Sequence, residues 1–368
     1  MSNEPKLFTP VQIGDLSLKN RVVMAPLTRN RADHGPDTAS ALSITYYRQR
    51  AGAGLIITEG TQVSQQGQGY AWTPGLYSDA QVAAWRKVTD GVHDAGGLIA
   101  AQIWHVGRIS HASLQPNGGA PVAPSAINAG TKTFIPTGFT DTSDPRALDA
   151  GELAGVAGDF AKAAANALKA GFDGIEIHGA NGYLIDQFLK DGSNTRTDSY
   201  GGSVENRARF PLEVVDAILK VFPKGRLGIR LSPVSPANNA VTSDPAEVFG
   251  YFAAELSKRG IAFIHVVEGA TGGPRDNMAF DYAALKKAFS GAYIANNSYT
   301  RDLAIDAVEA GRADAIAFGR AYIANPDLAE RLKLNAPLNE LKGRETFYGG
   351  GAEGYTDYPA LNQAQAAE

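Results

Sequence analysis

Three stretches of the chain bring together side chains able to do chemistry. In residues 175–189, IEIHGANGYLIDQFL, an apolar run delivers His178, Asn181 and Tyr183 into a turn containing Gly179 and Gly182 before the apolar pattern resumes. Three hydrogen-bonding groups are thus packed at the end of what reads as a buried strand. Farther on, Asn296-Asn297-Ser298 ends another apolar run just before a helical pattern, and Gly319-Arg320 ends the next. Backbone amides at a helix start suit an anion, and Arg adds a bidentate charged contact. The alternative for Arg320 is a cap on a surface helix. Arg230 lies inside the apolar run IRLSP, where a lone charge is costly to bury. It either faces a ligand or pairs with a carboxylate such as Glu176. Gln102, also on an apolar run, is either a ligand contact or a satisfied core amide.

Other reactive patterns are missing. The chain has no cysteine, which removes disulfides, thiolate nucleophiles and Cys-ligated zinc or iron–sulfur clusters. His105 and His111 are six apart with no third partner at metal-site spacing, so no metal is expected. His93 falls on a helical pattern, His34 in a loop and His265 inside a strand, where it reads as a core residue. No GxSxG elbow supplies a serine nucleophile. The net charge of −4 over 368 residues offers nothing to nucleic acid or to an anionic membrane surface. The N-terminus lacks the plan of a signal peptide, and no run of about 18 apolar residues occurs. A cytoplasmic location is expected.

The elements that must position these groups are short apolar runs alternating with Ala-rich helical patterns. Eight runs read as strands: 21–25, 54–58, 98–103, 174–177, 227–231, 263–267, 292–295 and 315–318. Helical patterns cover 80–95, 150–170, 204–222, 245–259, 301–310 and 327–334. Eight strands with helices between them predict an α/β fold, a single (β/α)8 TIM barrel over residues 1–368. An open dinucleotide-binding sheet would want a GxGxxG fingerprint that opens a helix, and none is found. Residues of about 105–148, rich in Gly, Pro, Asn and Thr, read as a long lid-like insertion after the third strand. The tail after Leu361 is expected to fray. In a barrel, the polar groups at strand ends converge on one mouth, which makes a single site of Thr28, Gly60, Gln102, Trp104, His178, Asn181, Tyr183, Arg230, Ser298 and Arg320.

With these residues assembled, the chain resembles the Old Yellow Enzyme family of FMN-dependent ene-reductases. The likeness is nearest to its bacterial N-ethylmaleimide, pentaerythritol tetranitrate and xenobiotic reductase group. The stretches that carry it include KLFTPVQIGDLSLKNRVVMAPLTR (6–29), YYRQRAGAGLIITEGTQVS (46–64), GLIAAQIWHVGRISH (97–111), NTRTDSYGGSVENRARF (194–210), AIAFGRAYIANPDL (315–328) and FYGGGAEGYTDYP (347–359). The resemblance implies non-covalent FMN at the barrel mouth. Ala25, Pro26, Thr28, Gly60 and Gln102 would surround its ring, Thr28 donating near the flavin O4 and so sharing in catalysis. Arg230 would stand near N1 and O2, and Asn297, Ser298, Gly319 and Arg320 would hold the phosphate.

By the same likeness, NADPH or NADH reduces the flavin, and electron-poor alkenes (enones, enals, maleimides, nitroalkenes) take the hydride. Nitrate esters and nitroaromatics would be side substrates. His178 and Asn181 would grip the substrate oxygen, Tyr183 would donate the proton, and Trp104, Tyr70 and Tyr355 would line the pocket. A monomer or weak homo-oligomer is expected. Asn181 stands where close bacterial relatives often carry His, and Asn296-Asn297-Ser298 where many relatives have a Gly/Ala-rich turn. Flavin barrels built on a Cys-ligated cluster are excluded by the missing cysteines. Two readings from other classes stay open here: a barrel that binds FMN or another ligand without turnover, and a sugar-phosphate aldolase or isomerase.

Overall fold

The computed structural model describes residues 4–276 and 279–361. The expected fraying of the tail after Leu361 falls outside the described residues. Parallel strands need a crossover of a dozen or more residues between them, and the helical segments supply it. We label the eight barrel strands β1 (Val22–Met24), β2 (Leu55–Gln62), β3 (Ile99–Trp104), β4 (Gly174–Gly179), β5 (Leu227–Leu231), β6 (Phe263–Val267), β7 (Ala292–Asn296) and β8 (Ala315–Phe318). Each pairs in parallel with the next, and β8 returns to β1, closing the ring. The α/β barrel expected from the sequence is the fold observed.

Strands buried on both faces read as continuous apolar runs, and for that reason β5, β6 and β8 fall on the expected residues. The strand β2 is longer than expected because its second half is polar. Thr58, Glu59, Thr61 and Gln62 are all buried there, with Thr61 Oγ1 donating to Glu59 O and Gln62 Nε2 to Thr73 O. A register shift between Ile57 and Gly60 lets β2 turn under the mouth. Gly60 is required at that point: a Cβ would sit 2.6 Å from the indole of Trp104.

The floor of the barrel was not anticipated. A hairpin, Val11–Ile13 with Leu16–Leu18, turns at Gly14 (φ +55°) and buries Ile13, Leu16 and Leu18 against Val23, Leu55, Ala100 and Phe263. Three-residue strands are too short for a periodic signal. With the floor plugged, the open end is the one where all eight strands finish.

The segment after β3 is paired structure. Val122–Ala123 pairs with Arg146–Ala147, and Lys132–Ile135 forms a hairpin with Gly138–Asp141. This hairpin docks on the loop after β2: Phe134 O accepts from Ala71 N–H at 2.8 Å, Thr133 Oγ1 donates to Gly69 O, and the Phe134 ring meets Trp72 edge-on at 5.4 Å. No helix among the described residues is long and apolar enough to cross a membrane.

Candidate active site

The strand β4 ends by turning its backbone sharply. Asn181 (φ +58°) and Gly182 (φ +76°) take left-handed conformations in succession, one tolerable for Asn and the other natural for Gly. The turn is pinned by Asn181 N–H donating to Ser232 Oγ at 2.8 Å and by Gly182 N–H donating to Asp186 at 2.8 Å. Tyr183 then caps the short helix Leu184–Leu189. This path brings two rings of one turn together and leaves the Asn181 side chain against Thr271. The rings of His178 and Tyr183 lie edge to face at 4.8 Å, and Trp104 from the end of β3 stacks on His178 at 5.8 Å while meeting Tyr183 at 4.9 Å. Tyr70, from the loop after β2, closes the group with its hydroxyl 3.0 Å from that of Tyr183.

Burial sets the charge states here. Desolvation, helped by the nearby charge of Arg230 and by His265, pushes His178 well below the usual imidazole range, so the ring is neutral at pH 7. Its Nδ1 accepts the Ala180 N–H at 3.3 Å, which places the ring proton on Nε2. Burial also lifts Tyr183 well above the usual phenol value, with Tyr70 adding to the effect and Arg230 opposing it. Tyr70 is pushed up to about 12, chiefly by burial. Both phenols keep their protons at neutral pH.

Arg230 projects from β5 and is nearly buried. The alternative reading, a pairing with Glu176, does not occur. Glu176 instead accepts from Gln102 Nε2 at 2.7 Å and lies 2.7 Å from His265 Nδ1, so both of its oxygens are occupied. Among the described residues the acceptor for Arg230 is Asn296 Oδ1 at 2.7 Å, and its buried Nε has no partner there. Gln102 is thus tied through Nε2 to the core, leaving its carbonyl oxygen as the end able to contact a ligand. The Trp104 indole N–H is a second buried donor without a partner.

The expected anion site takes a particular form. Asn297 (φ +101°) and Ser298 (φ +51°) hold a strained turn. Asn297 Nδ2 stabilises it by donating to Glu268 O at 2.7 Å and Ala270 O at 2.8 Å, and Ser298 Oγ donates to Gly273 O at 3.1 Å. With those side chains engaged, what the turn offers an anion is its backbone amides. Gly319 opens the five-residue helix Arg320–Ala324, and Arg320 is exposed with no ion pair among the described residues. Ala25 is buried, its N–H donating to Phe318 O, while Pro26 and Thr28 are half-buried at the end of β1. The Thr28 hydroxyl makes no hydrogen bond to the described protein.

Tyr355 is not brought to this group. It is fully buried, stacked on Tyr46 at 4.1 Å, with the Arg29 and Arg31 guanidinia over its ring at 5.1 and 4.5 Å. The tyrosine of the same segment that reaches the site is Tyr348. It is 53% exposed, close enough for its phenol to raise both Tyr70 and Tyr183. Its sequence signal was its place just before three glycines in FYGGG. Thr271, whose hydroxyl lies 2.7 Å from Asn181 Oδ1, had no signal at all in its loop.

Buried donors of Trp104 and Arg230 left unpartnered among the described residues, with an amide turn at Asn297 and Ser298, suit a planar heterocycle carrying an anionic tail. Comparison with known proteins agrees. The NADH:flavin oxidoreductase / NADH oxidase family model matches residues 6–339. A putative 12-oxophytodienoate reductase 11 from Oryza sativa subsp. japonica is 45% identical, covering 98% of this chain and 99% of its own. The 12-oxophytodienoate reductase 2 of Arabidopsis thaliana is 42% identical, covering 96% of each. Among solved structures, morphinone reductase in complex with tetrahydroNAD superposes with a TM-score of 0.92 at 48% identity, covering 98% of this chain and 99% of that one. An old yellow enzyme homologue from Zymomonas mobilis gives 0.93 at 44%, covering 97% and 100%.

Proposed function

The chain belongs to the NADH:flavin oxidoreductase / NADH oxidase family, and from that premise we propose how its mouth reduces an activated alkene. It is an FMN flavoprotein of the Old Yellow Enzyme type, an ene-reductase that draws its electrons from NAD(P)H. Membership removes the non-redox barrel and the aldolase readings. FMN held here would supply the redox chemistry, the net transfer of hydride from NADPH or NADH to the β-carbon of an activated alkene.

The protein's own part begins with binding. Arg230, with an unpartnered Nε–H, would hold the flavin where negative charge gathers on reduction. Thr28 and the Gln102 carbonyl would contact the ring edge, and the amides of Asn297, Ser298 and Gly319 with Arg320 the phosphate. The observation that carries the proposal is at the end of β4: His178 Nε2–H and the Asn181 NH2 find no acceptor within the described protein, beside a protonated Tyr183. Two donors aimed at one oxygen stabilise charge developing there, the logic of an oxyanion hole. Tyr183 would deliver its proton to the α-carbon, and the phenolate left behind would be met by the Tyr70 hydroxyl 3.0 Å away.

The substrate class follows from the walls. Trp104, Tyr70 and Tyr183 pack ring against ring, an aromatic wall that would favour flat conjugated molecules: enones, enals, maleimides and nitroalkenes, with nitrate esters and nitroaromatics as side substrates. The relatives' names, oxophytodienoate and morphinone reductases, both carry a ketone, in keeping with an oxygen clamp. The test is anaerobic. The pure protein should be yellow, bleach with NADPH or NADH, and recolour with cyclohex-2-enone. Tyr183→Phe should slow recolouring by roughly 10²–10⁴, the usual general-acid contribution, while bleaching continues. Equal loss in both halves would remove Tyr183 as the donor.

A further inference from the structure

Asn181 offers a ligand two different ends, an NH2 that donates and an oxygen that only accepts. Its backbone is already fixed: N–H donates to Ser232 Oγ, and the carbonyl accepts from Asn238 Nδ2 at 2.8 Å. Rotation of the side chain is what remains to be set. The group that sets it lies on the loop after β6, where the Thr271 hydroxyl is 2.7 Å from Asn181 Oδ1. Thr271 Oγ1 is also 2.8 Å from Ser235 Oγ, and Thr271 N–H donates to the same Ser235 oxygen at 3.1 Å.

A hydroxyl has one proton to give. When Ser235 gives its proton to Thr271, Thr271 gives its own to Asn181 Oδ1, and the amide is left with its NH2 toward the pocket. We propose that Thr271, supplied by Ser235, is a positioning residue that turns the Asn181 NH2 toward the substrate oxygen. This rests on the reading of Asn181 as a donor. The loop is braced from the other side by the turn assigned to the phosphate: Asn297 Nδ2 holds Glu268 O and Ala270 O, and Ser298 Oγ holds Gly273 O. Glu268 itself accepts from Tyr293 at 3.0 Å and Tyr299 at 2.7 Å. Thr271 therefore stands on a rigid support that joins the cofactor end of the mouth to the substrate clamp.

The test uses flavin-loaded wild type, Thr271→Val, Thr271→Ser and Ser235→Ala. Valine keeps the shape of threonine and removes the hydroxyl; serine keeps the hydroxyl. Calorimetric binding of 4-hydroxybenzaldehyde and the KM and kcat for cyclohex-2-enone are the readouts. Thr271→Val is expected to raise both Kd and KM by about five- to tenfold, the worth of one hydrogen bond, with kcat moving less. Thr271→Ser should stay within about twofold of wild type, and Ser235→Ala should shift in the same direction as valine by less. Wild-type values in Thr271→Val, or equal losses in Val and Ser, would overturn the proposal, as would loss of flavin from Thr271→Val with normal phenol affinity in the fraction that keeps it. Failure of wild type to bind the phenol or reduce the enone would instead strike the functional reading itself.

Discussion

Arg230 is a guanidinium that the protein by itself leaves half satisfied, with one acceptor at Asn296 and a buried Nε that has none. Burial lowers its pKa from the usual arginine value, the mark of a charge held at a cost to the empty fold. Arg230 is in no salt bridge among the described residues, so an apolar side chain of similar size removes its desolvation cost without stranding an opposite charge. Arg230→Met apoprotein should therefore melt no lower than wild-type apoprotein, yet bind FMN about tenfold or more weakly, since hydrogen bonds to charged groups contribute roughly 1.5–3 kcal/mol. Thermal melts with and without added FMN measure both. A fall in apoprotein melting temperature would mean that Arg230 serves the fold rather than the flavin. This residue was legible in the sequence because a charge inside IRLSP demands a partner, although the pattern could not say that Glu176 was already taken by Gln102 and His265. Tyr355 and Tyr348 show the opposite case. They share one glycine-rich segment without periodicity, and what separates them is Arg29 and Arg31, which arrive from the other end of the chain. Arg29 donates to Phe347 O and Gly354 O, and Arg31 to Gly351 O. Those bonds draw Tyr355 inward and leave Tyr348 at the mouth. Tyr348→Ala should then raise the KM for an enone several-fold with little effect on stability, and Tyr355→Ala should do the reverse, costing about 3–5 kcal/mol as a large buried side chain; enone kinetics and denaturant titration of each variant distinguish the two.

Elements were legible where burial made their pattern continuous and obscure where it did not. The strand β8 is an uninterrupted apolar run and β5 and β6 are broken only by Arg230 and His265, while the polar half of β2 hides its strand character because its side chains are satisfied inside the ring. Short helices such as Ala41–Arg48, Leu184–Leu189 and Tyr282–Ala288 span too few turns to show a 3.6-residue period. The insertion after β3 was legible as an interruption, and its hairpin was not, since Lys132–Ile135 and Gly138–Asp141 are partly exposed with mixed character. Among the described residues the hairpin makes no hydrogen bond or ring contact to His178, Asn181 or Tyr183. It reaches the chemistry through the loop that carries Tyr70, which it holds at Gly69, Ala71 and Trp72. Replacing residues 132–141 with a short Gly-Ser link should accordingly leave flavin content unchanged and lower kcat/KM for an enone by about tenfold, through a less ordered Tyr70, as a misplacement of about 1 Å can cost still more. If the deletion left kcat/KM intact, the insertion would have no part in shaping the pocket.

For the whole molecule, acid is the condition that sets the buried groups against each other. His105 is enclosed, its Nδ1 accepting Gly107 N–H at 3.1 Å and its Nε2 without a partner, and burial lowers it to about 3. Burial lowers His178 in the same direction. Below pH 6.5 the unfolded chain takes up protons that these folded imidazoles refuse, so their contribution to stability is present above about 6.5 and lost as the pH falls. Glu59 and Asp37 act the other way. Burial raises them to about 7 and about 6, so the folded state takes up protons before the unfolded one, and their contribution grows on acidification and is lost as the pH rises. The net curve between pH 7 and 5 is a difference of opposing slopes, and its shape alone identifies no residue. One substitution does. In His105→Asn the amide oxygen can accept the Gly107 N–H in place of Nδ1, and any cost of the lost ring volume is independent of pH. The stability of wild type relative to His105→Asn should therefore be constant above about pH 7. It should decline by about 1.4 kcal/mol for each unit below 6.5, one proton's worth of linkage, reaching about 2 kcal/mol at pH 5. Denaturant titrations of both flavin-saturated proteins at half-unit intervals measure it. A difference that stays flat down to pH 5 would mean that His105 titrates near its free value in the folded protein, with its ring reached by water.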